Sequence, residues 1–333
     1  MPIIKATEPI VVERSVFLLV GQPGICKTSL GYSMPDPLLV DFDGGSHRAV
    51  NRRDTFTLQA WAEIDQLQRG ALEPYASIVI DTVERCLQMM TVAIIADDPK
   101  CGARGVLTPK GWGVLKQTFA TWIATLRSYG LDILLLAHAK EQKDDVRSIR
   151  ADIQGGSYSE VLKVADFVGY LYMRGNDRVL DFNPCERWIG KNPAGWQPFM
   201  VPAPERAHSF MADLVARGVA ALGHASEASA TVAQHVDLWR QEIAALAAAP
   251  ECNAILPRLK SLPAILQPQV KRLLWERSKA LGVTFDASLG AFVAPTVAVV
   301  DGGAGLARPP VNGRAASWQP QLLSALTTQD GAR

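Results

Sequence analysis

The stretch from Val16 to Ser29 constrains the fold more than any other part of the 333-residue chain. An apolar run, VFLLV at Val16–Val20, leads directly into Gly21-Gln22-Pro23-Gly24-Ile25-Cys26-Lys27-Thr28-Ser29, and a helical segment opens there. A strand that turns through a Gly-rich loop into a helix points backbone N–H groups at one place, and such a place holds phosphate oxygens. Lys27 is positioned to reach the β- and γ-phosphates as a point charge, and the Thr28 hydroxyl to bind magnesium. One position breaks the motif G-x-x-x-x-G-K-[ST]: Cys26 stands where it asks for glycine. A Cβ there narrows the approach of backbone to phosphate. A plain Gly/Pro turn with an incidental Lys-Thr is the competing reading of the loop alone, and an intact fold with decayed turnover is another.

Further apolar runs recur with helical patterns between them, as βαβ units do. Strands buried on both faces read as continuous rather than alternating apolar runs. The candidates are Val16–Val20, Leu38–Phe42, Ser77–Asp81, Ile133–Ala137 and Phe167–Tyr172. Helices are expected over Gln59–Arg69, Val83–Ala96 and Gly113–Tyr129. After Met173 two short strands, RVLDF and ERWIG, joined around Asn183-Pro184, read as an antiparallel edge. From Glu205 the chain turns Ala- and Leu-rich, with helices expected near Glu205–Leu222, Ala230–Ala248 and Pro268–Leu281. The fold class is therefore α/β: a mostly parallel sheet flanked by helices, with an antiparallel edge and a C-terminal helical region. Residues 1–203 form the expected core, 204–285 the helical region, and the Gly- and Pro-rich remainder, 286–333, an expected disordered tail.

A site that transfers phosphoryl groups to water needs a carboxylate for magnesium and a base for the attacking water. Asp81 ends the SIVI strand and is the candidate metal carboxylate, a role compatible with capping the helix that starts at Val83. Asp41 and Asp43 lie at the end of LLVDFDGG, on the side where open parallel sheets bind ligands. Asp43 is the favoured base, since it lies past the strand and beside Gly44-Gly45; a turn aspartate is the competing reading. His138, closing the ILLLA strand, is placed to sense the terminal phosphate, or else to serve as a structural hydrogen-bonder.

Composition excludes other classes. Net charge is +1, so no global positive field demands nucleic acid, and any such surface is local. Five scattered cysteines without a C-x-x-C pair argue against a disulfide framework or a zinc site and fit a reducing compartment. No secretory leader or run of ~20 apolar residues is evident, so a cytoplasmic, membrane-free protein is expected.

The ordered set GQPGICKTSL, PLLVDFDGG, SIVIDT, LLLAHAK and GGSYSEVLKVADFVGYLYMR resembles the RecA-like P-loop NTPases. Within them it is most similar to the phage-encoded RecA-like single-strand annealing recombination proteins. The resemblance covers roughly residues 10 to 202. It implies ATP and Mg2+ as cofactors, Asp43, Lys27 and His138 as the catalytic set, and a phage or bacterial cytoplasmic setting. It also implies a homo-oligomer, ring or filament, in which a basic residue of one subunit completes its neighbour's site. Lys140, Arg174 and Lys191 are the positions considered for that role. The Lys191-Asn192-Pro193-Ala194-Gly195 run is similar to a Lys-Asn-Arg-x-Gly motif of bacterial RadA, with Pro193 in place of the arginine.

Two segments correspond to the DNA-facing loops of such proteins. Asp97–Trp112 carries Lys100, Arg104, Lys110 and Trp112, and basic side chains beside an aromatic suit sequence-tolerant binding of single strands. Lys140–Gly156 carries Lys143, Arg147 and Arg150, offset by four acids. Both also read as solvated surface loops. The expected function is ATP-dependent recombination on single-stranded DNA, by annealing or strand exchange, with a single-strand-binding protein as a further expected partner. A nucleotide-gated regulatory or assembly protein with little turnover, and an AAA+ helicase loader, are the alternatives.

Overall fold

The computed structural model describes residues 3–142, 148–153 and 157–294. In chain order the elements are β1 (Val16–Gly21), α1 (Lys27–Gly31), β2 (Pro37–Asp41), β3 (Thr55–Thr57), α2 (Arg69–Leu72), β4 (Ser77–Asp81) and α3 (Val83–Asp97). Next come β5 (Gly102–Ala103), β6 (Val106–Leu107), α4 (Pro109–Ser128), β7 (Asp132–Gln142), β8 (Ser148–Ala151), α5 (Ser157–Val164), β9 (Phe167–Arg174), β10 (Asp177–Asp181) and β11 (Phe199–Val201). The chain continues with α6 (Phe210–Ala244), α7 (Ala249–Lys260), α8 (Gln267–Ala280), β12 (Thr284–Asp286) and β13 (Ala291–Val293).

The main sheet runs β11-β10-β9-β1-β7-β4-β2-β3, with β8 paired to β7. Pairings among β9, β1, β7, β4, β2 and β3 are parallel, while β10, β11 and β8 pair antiparallel. This is the α/β P-loop NTPase fold, mostly parallel with an antiparallel edge. The uninterrupted apolar runs have a direct cause. Val16, Leu18 and Val20 of β1 enter one core, beneath α3 and α4, while Phe17 and Leu19 enter another on the opposite face with Leu30, Met211 and Leu214. β7 divides likewise, with Ile133, Leu135 and Ala137 on the first face and Leu134 and Leu136 on the second. A strand covered on both faces cannot alternate with polar residues. Phe17 stacks on Phe167 at 4.6 Å between ring centroids, tying β1 to β9 on that second face.

Several expectations need correction. Gln59–Arg69 is not an α-helix: Trp61–Gln66 forms a 3-10 helix, with Glu63 accepting the N–H groups of Gln59 and Ala60 at 3.0 Å, and α2 follows. ERWIG forms no strand; Trp188 makes an isolated bridge to Ile149, Lys191 just beyond it makes another to Val168, and the second edge strand is β11. Trp188 tilts against Tyr170 and Tyr172, its indole N–H on the Asn183 carbonyl at 3.0 Å, so packing rather than strand pairing fixes this segment. Helices expected over Glu205–Leu222 and Ala230–Ala248 are one helix, α6. Residues 284–286 and 291–293 pair as a hairpin, and 295–333 of the expected tail lie outside the described residues.

The described residues divide into two compact units: Ile10–Ser226, and a second comprising residues 3–9 with 227–294. This division falls inside α6, whereas the sequence places the break at 203/204. Met211, Leu214 and Val215 at the start of α6 belong to the core of the first unit, which accounts for the difference. The second unit holds its own core of Val236, Trp239, Ile243, Cys252, Ile255, Val270, Leu274 and Phe292.

Candidate functional site

The parallel register brings the singled-out residues to one edge. Gly21 is level with His138 and Asp41 with Asp81, at the carboxyl ends of β1, β2 and β4; His138 does not close its strand as expected, since β7 runs on to Gln142. Open parallel sheets present ligand sites there. The loop Gly21–Cys26 leaves β1, and α1 begins at Lys27.

Two loop residues have left-handed backbone. Gly24 has φ 78°, which glycine accepts freely, and Cys26 has φ 69° and ψ 32°. The motif's glycine preference at position 26 therefore has a second cause beyond close approach: a side chain in this region costs about 1–2 kcal/mol. Arg178 of β10 lies across the same place. Its guanidinium donates to the Ile25 carbonyl at 3.1 Å and to that of Pro202 at 3.5 Å, and lies 3.8 Å from the Cys26 sulfur. Sequence reasoning missed Arg178, whose only signal is a cation beside the apolar pair Val179-Leu180 of a five-residue strand.

The Lys27 amine is buried, 5% exposed, and donates to the Gly21 and Gln22 carbonyls at 2.9 and 3.0 Å. Burial pulls its pKa from 10.5 down to about 8, opposed by the fields of Asp81, Glu84 and Asp43 in that order. The Thr28 hydroxyl donates to Asp81 at 2.7 Å. Burial pushes the Asp81 carboxyl up to about 6, with the Thr28 hydrogen bond acting against it. Thr28 and Asp81 thus offer adjacent hard oxygens of the kind magnesium takes.

The two carboxylates after β2 have separate duties. Asp41 accepts the N–H groups of Asp43 and Gly45 at 3.2 Å and of Ser46 at 2.9 Å, so it organises the turn. Among the described residues, Asp43 pairs with the side chains of Arg85 at 3.4 Å and Arg48 at 4.0 Å, and its carboxylate is a quarter exposed. Glu84, in the first turn of α3, takes the His138 backbone N–H at 3.0 Å and pairs with His138 Nδ1 through the same oxygen. An acid three residues after Asp81 looks like an ordinary helix-start residue, and sequence reasoning passed over it.

The other predicted positions are dispersed. Lys191 donates to the Leu162 and Ala165 carbonyls at 2.9 and 2.7 Å, closing the C-terminal end of α5 within its own chain. Lys140 pairs with Asp152 at 2.8 Å. Arg174 is exposed, with a 3.5 Å contact to the Met200 sulfur. Asp97–Trp112 is no open loop: it holds a 3-10 turn, the β5–β6 hairpin and the start of α4. Asp98 explains this order, capping the turn through the Lys100 N–H and pairing with Lys110 at 2.5 Å. Trp112 is half-buried against the core, while Lys100 and Arg104 are exposed. Arg150 lies exposed on β8, and Lys143 and Arg147 lie outside the described residues.

A family model described as an AAA domain (AAA_24) matches residues 13–194, more than half of the chain. The chain belongs to this family. The matched span of the AAA domain lies within the unit Ile10–Ser226 and contains the whole phosphate-binding loop with Asp43, Asp81, Glu84 and His138. The domain is thus of the P-loop ATPase type, a class that binds nucleotide, typically with Mg2+. A search of curated proteins returns no match. Among the described residues no helix is long and apolar enough to cross a membrane.

Proposed function

We propose that the AAA domain binds ATP with Mg2+, hydrolyses it, and couples the cycle to single-stranded DNA in recombination, by annealing or strand exchange. One observation supports the nucleotide part above others: Lys27, the Thr28–Asp81 pair and Asp43 lie at or just past the carboxyl ends of β1, β4 and β2, level with the Glu84-held His138 within β7. Lys27 exchanges two carbonyl partners for phosphate charge. Thr28 and Asp81 hold the metal, which when bound neutralises charge on the phosphate oxygens. Asp43 takes the proton of the attacking water, because Asp41 already spends its oxygens on three backbone N–H groups.

The DNA part is supported by the course of β7. It runs from His138 straight into the β7–β8 arm, which carries the exposed Lys140 and Arg150. Lys100 and Arg104 on and beside the β5–β6 hairpin are further contacts in this reading. Lys110, Lys140 and Trp112 are weaker ones, since ion pairs hold the two lysines and the core engages the tryptophan. A homo-oligomer is part of the proposal, with Arg174 the best of the three candidates for completing a neighbour's site. A single-strand-binding protein is its proposed further partner.

Cys26 favours a second reading, a nucleotide-gated binding protein with little turnover. ATPase rates of the wild type, Cys26→Gly and Lys27→Ala separate the two. Hydrolysis should be measurable in the wild type, faster in Cys26→Gly and lost in Lys27→Ala; equal negligible rates in all three favour the gated protein. For DNA, anisotropy of a labelled oligonucleotide with ATP and Mg2+ should fall with salt and weaken in an Arg104→Ala/Arg150→Ala double variant. Absence of binding at low salt sinks the DNA part.

A further inference from the structure

Cys26 holds a backbone conformation that its own chemistry does not favour. At φ 69° and ψ 32° its Cβ crowds the following carbonyl, and without an outside partner such a residue returns to negative φ. Arg178 of β10 supplies that partner. Register fixes its place, level with Met173 of β9 and Val201 of β11. From there Nε donates to the Ile25 carbonyl at 3.1 Å, Nη1 reaches the Pro202 carbonyl at 3.5 Å, and Nη2 lies 3.8 Å from the Cys26 sulfur. The planar fork of arginine serves two such carbonyls at once. Between Cys26, Arg178, Val201, Pro202 and Ala207 remains a cavity of about 10 Å³, at the lower limit for one water. The loop is thus packed against the strand edge at this point rather than standing free.

The contact also sets the direction of one donor. The Ile25–Cys26 peptide is trans, so its C=O and N–H point opposite ways. With the Ile25 carbonyl on Arg178, the Cys26 N–H is directed away from β10. That N–H makes no backbone hydrogen bond among the described residues, and the N–H groups of such a loop are what surround phosphate oxygens. A change of φ at Cys26 turns this same peptide and takes the donor out of line. The departure from glycine at position 26 and the cation on β10 therefore act as one arrangement.

We propose that Arg178 is a positioning residue of the nucleotide site: by holding the Ile25 carbonyl it keeps Cys26 left-handed, with its N–H turned to the phosphates. Glycine at position 26 would lighten that task, because glycine takes this conformation freely. The proposal deepens the nucleotide reading of this site and rests on it. It requires no contact between Arg178 and the reacting atoms.

The test is a double-variant cycle in the full chain, with affinity for a non-hydrolysable ATP analogue and Mg2+ read by calorimetry. Its four proteins are the wild type, Arg178→Ala, Cys26→Gly and the two combined. With Cys26 in place, Arg178→Ala should weaken the analogue about tenfold, the size of the left-handed penalty it releases. In the Cys26→Gly background the same change should cost about twofold or less, a coupling of about fivefold between contacting residues. A merely structural Arg178, or one that met the phosphates itself, would lose the same factor in both backgrounds. Should Arg178→Ala not fold, Arg178→Gln carries the test, with a coupling of at least about threefold. Equal losses in the two backgrounds, no loss with Cys26 in place, or binding that appears only after Cys26→Gly overturns the proposal. Absence of nucleotide binding in all four proteins overturns the underlying reading instead, and this inference with it.

Discussion

Lys27 and Asp81 are both ionised near neutral pH at a cost to the protein without nucleotide, and the two costs bracket a pH window. For Lys27 the folded pKa, about 8, lies below the unfolded 10.5. The unfolded chain binds more protons between these values, so stability rises with pH across them. For Asp81 the folded pKa, about 6, lies above 3.8. Here the folded chain binds more protons, so stability falls as pH rises from about 4 to 6. Both penalties are fully present between about pH 6 and 8. Magnesium nucleotide needs Asp81 ionised and Lys27 protonated, the forms already present in that window. Calorimetric titration with ATP and Mg2+ should therefore give a plateau of affinity from about pH 6 to 8. Affinity should fall up to about tenfold per pH unit on either side. A flat profile from about pH 5 to 9 would show that these two groups do not meet the ligand.

At the scale of elements, Lys191 illustrates how a basic residue can be engaged within its own chain. Its amine meets the Leu162 and Ala165 carbonyls at the C-terminal end of α5, where the helix dipole favours a cation. Lys191→Ala should cost about 1 kcal/mol in denaturant unfolding, with a similar loss at protein concentrations too low for assembly. Lost ATPase activity at an unchanged unfolding midpoint would instead return Lys191 to a role across subunits. The strands were legible in the sequence because burial on both faces leaves unbroken apolar runs. The loop, Asp81 and His138 were legible because each follows directly on such a run. Arg178, Glu84 and Lys191 were not, since their partners lie 153, 54 and 29 residues away and such contacts leave no local period. ERWIG failed for a related reason: its apolar content serves the packing of Trp188 against Tyr170 rather than strand pairing. Cys26 was seen as a departure, but its positive φ is a backbone fact that no composition discloses.

At the scale of the whole molecule, each compact unit has a core of its own. In the second unit Val236, Trp239 and Ile243 of α6 pack with Cys252 and Ile255 of α7, Val270 and Leu274 of α8, and Phe292 of β13. The Arg258 guanidinium lies 4.5 Å over the Trp239 ring and pairs with Glu242, fastening α7 to α6. None of these residues belongs to the candidate nucleotide site, and the AAA match stops at residue 194. Separate cores imply separate local stabilities, so a two-state description should fail for the full chain. Leu274 is fully buried, and Leu274→Ala should cost about 2–5 kcal/mol through lost burial and the cavity left behind. Hydrogen exchange should locate that loss in α7, α8 and the β12–β13 hairpin, with β1 and β7 keeping wild-type protection and ATP affinity changing less than about twofold. Equal loss of protection in β1 would mean that the two cores unfold as one. The helical region would then have to be counted as part of the ATPase core's stability rather than as a module beside it.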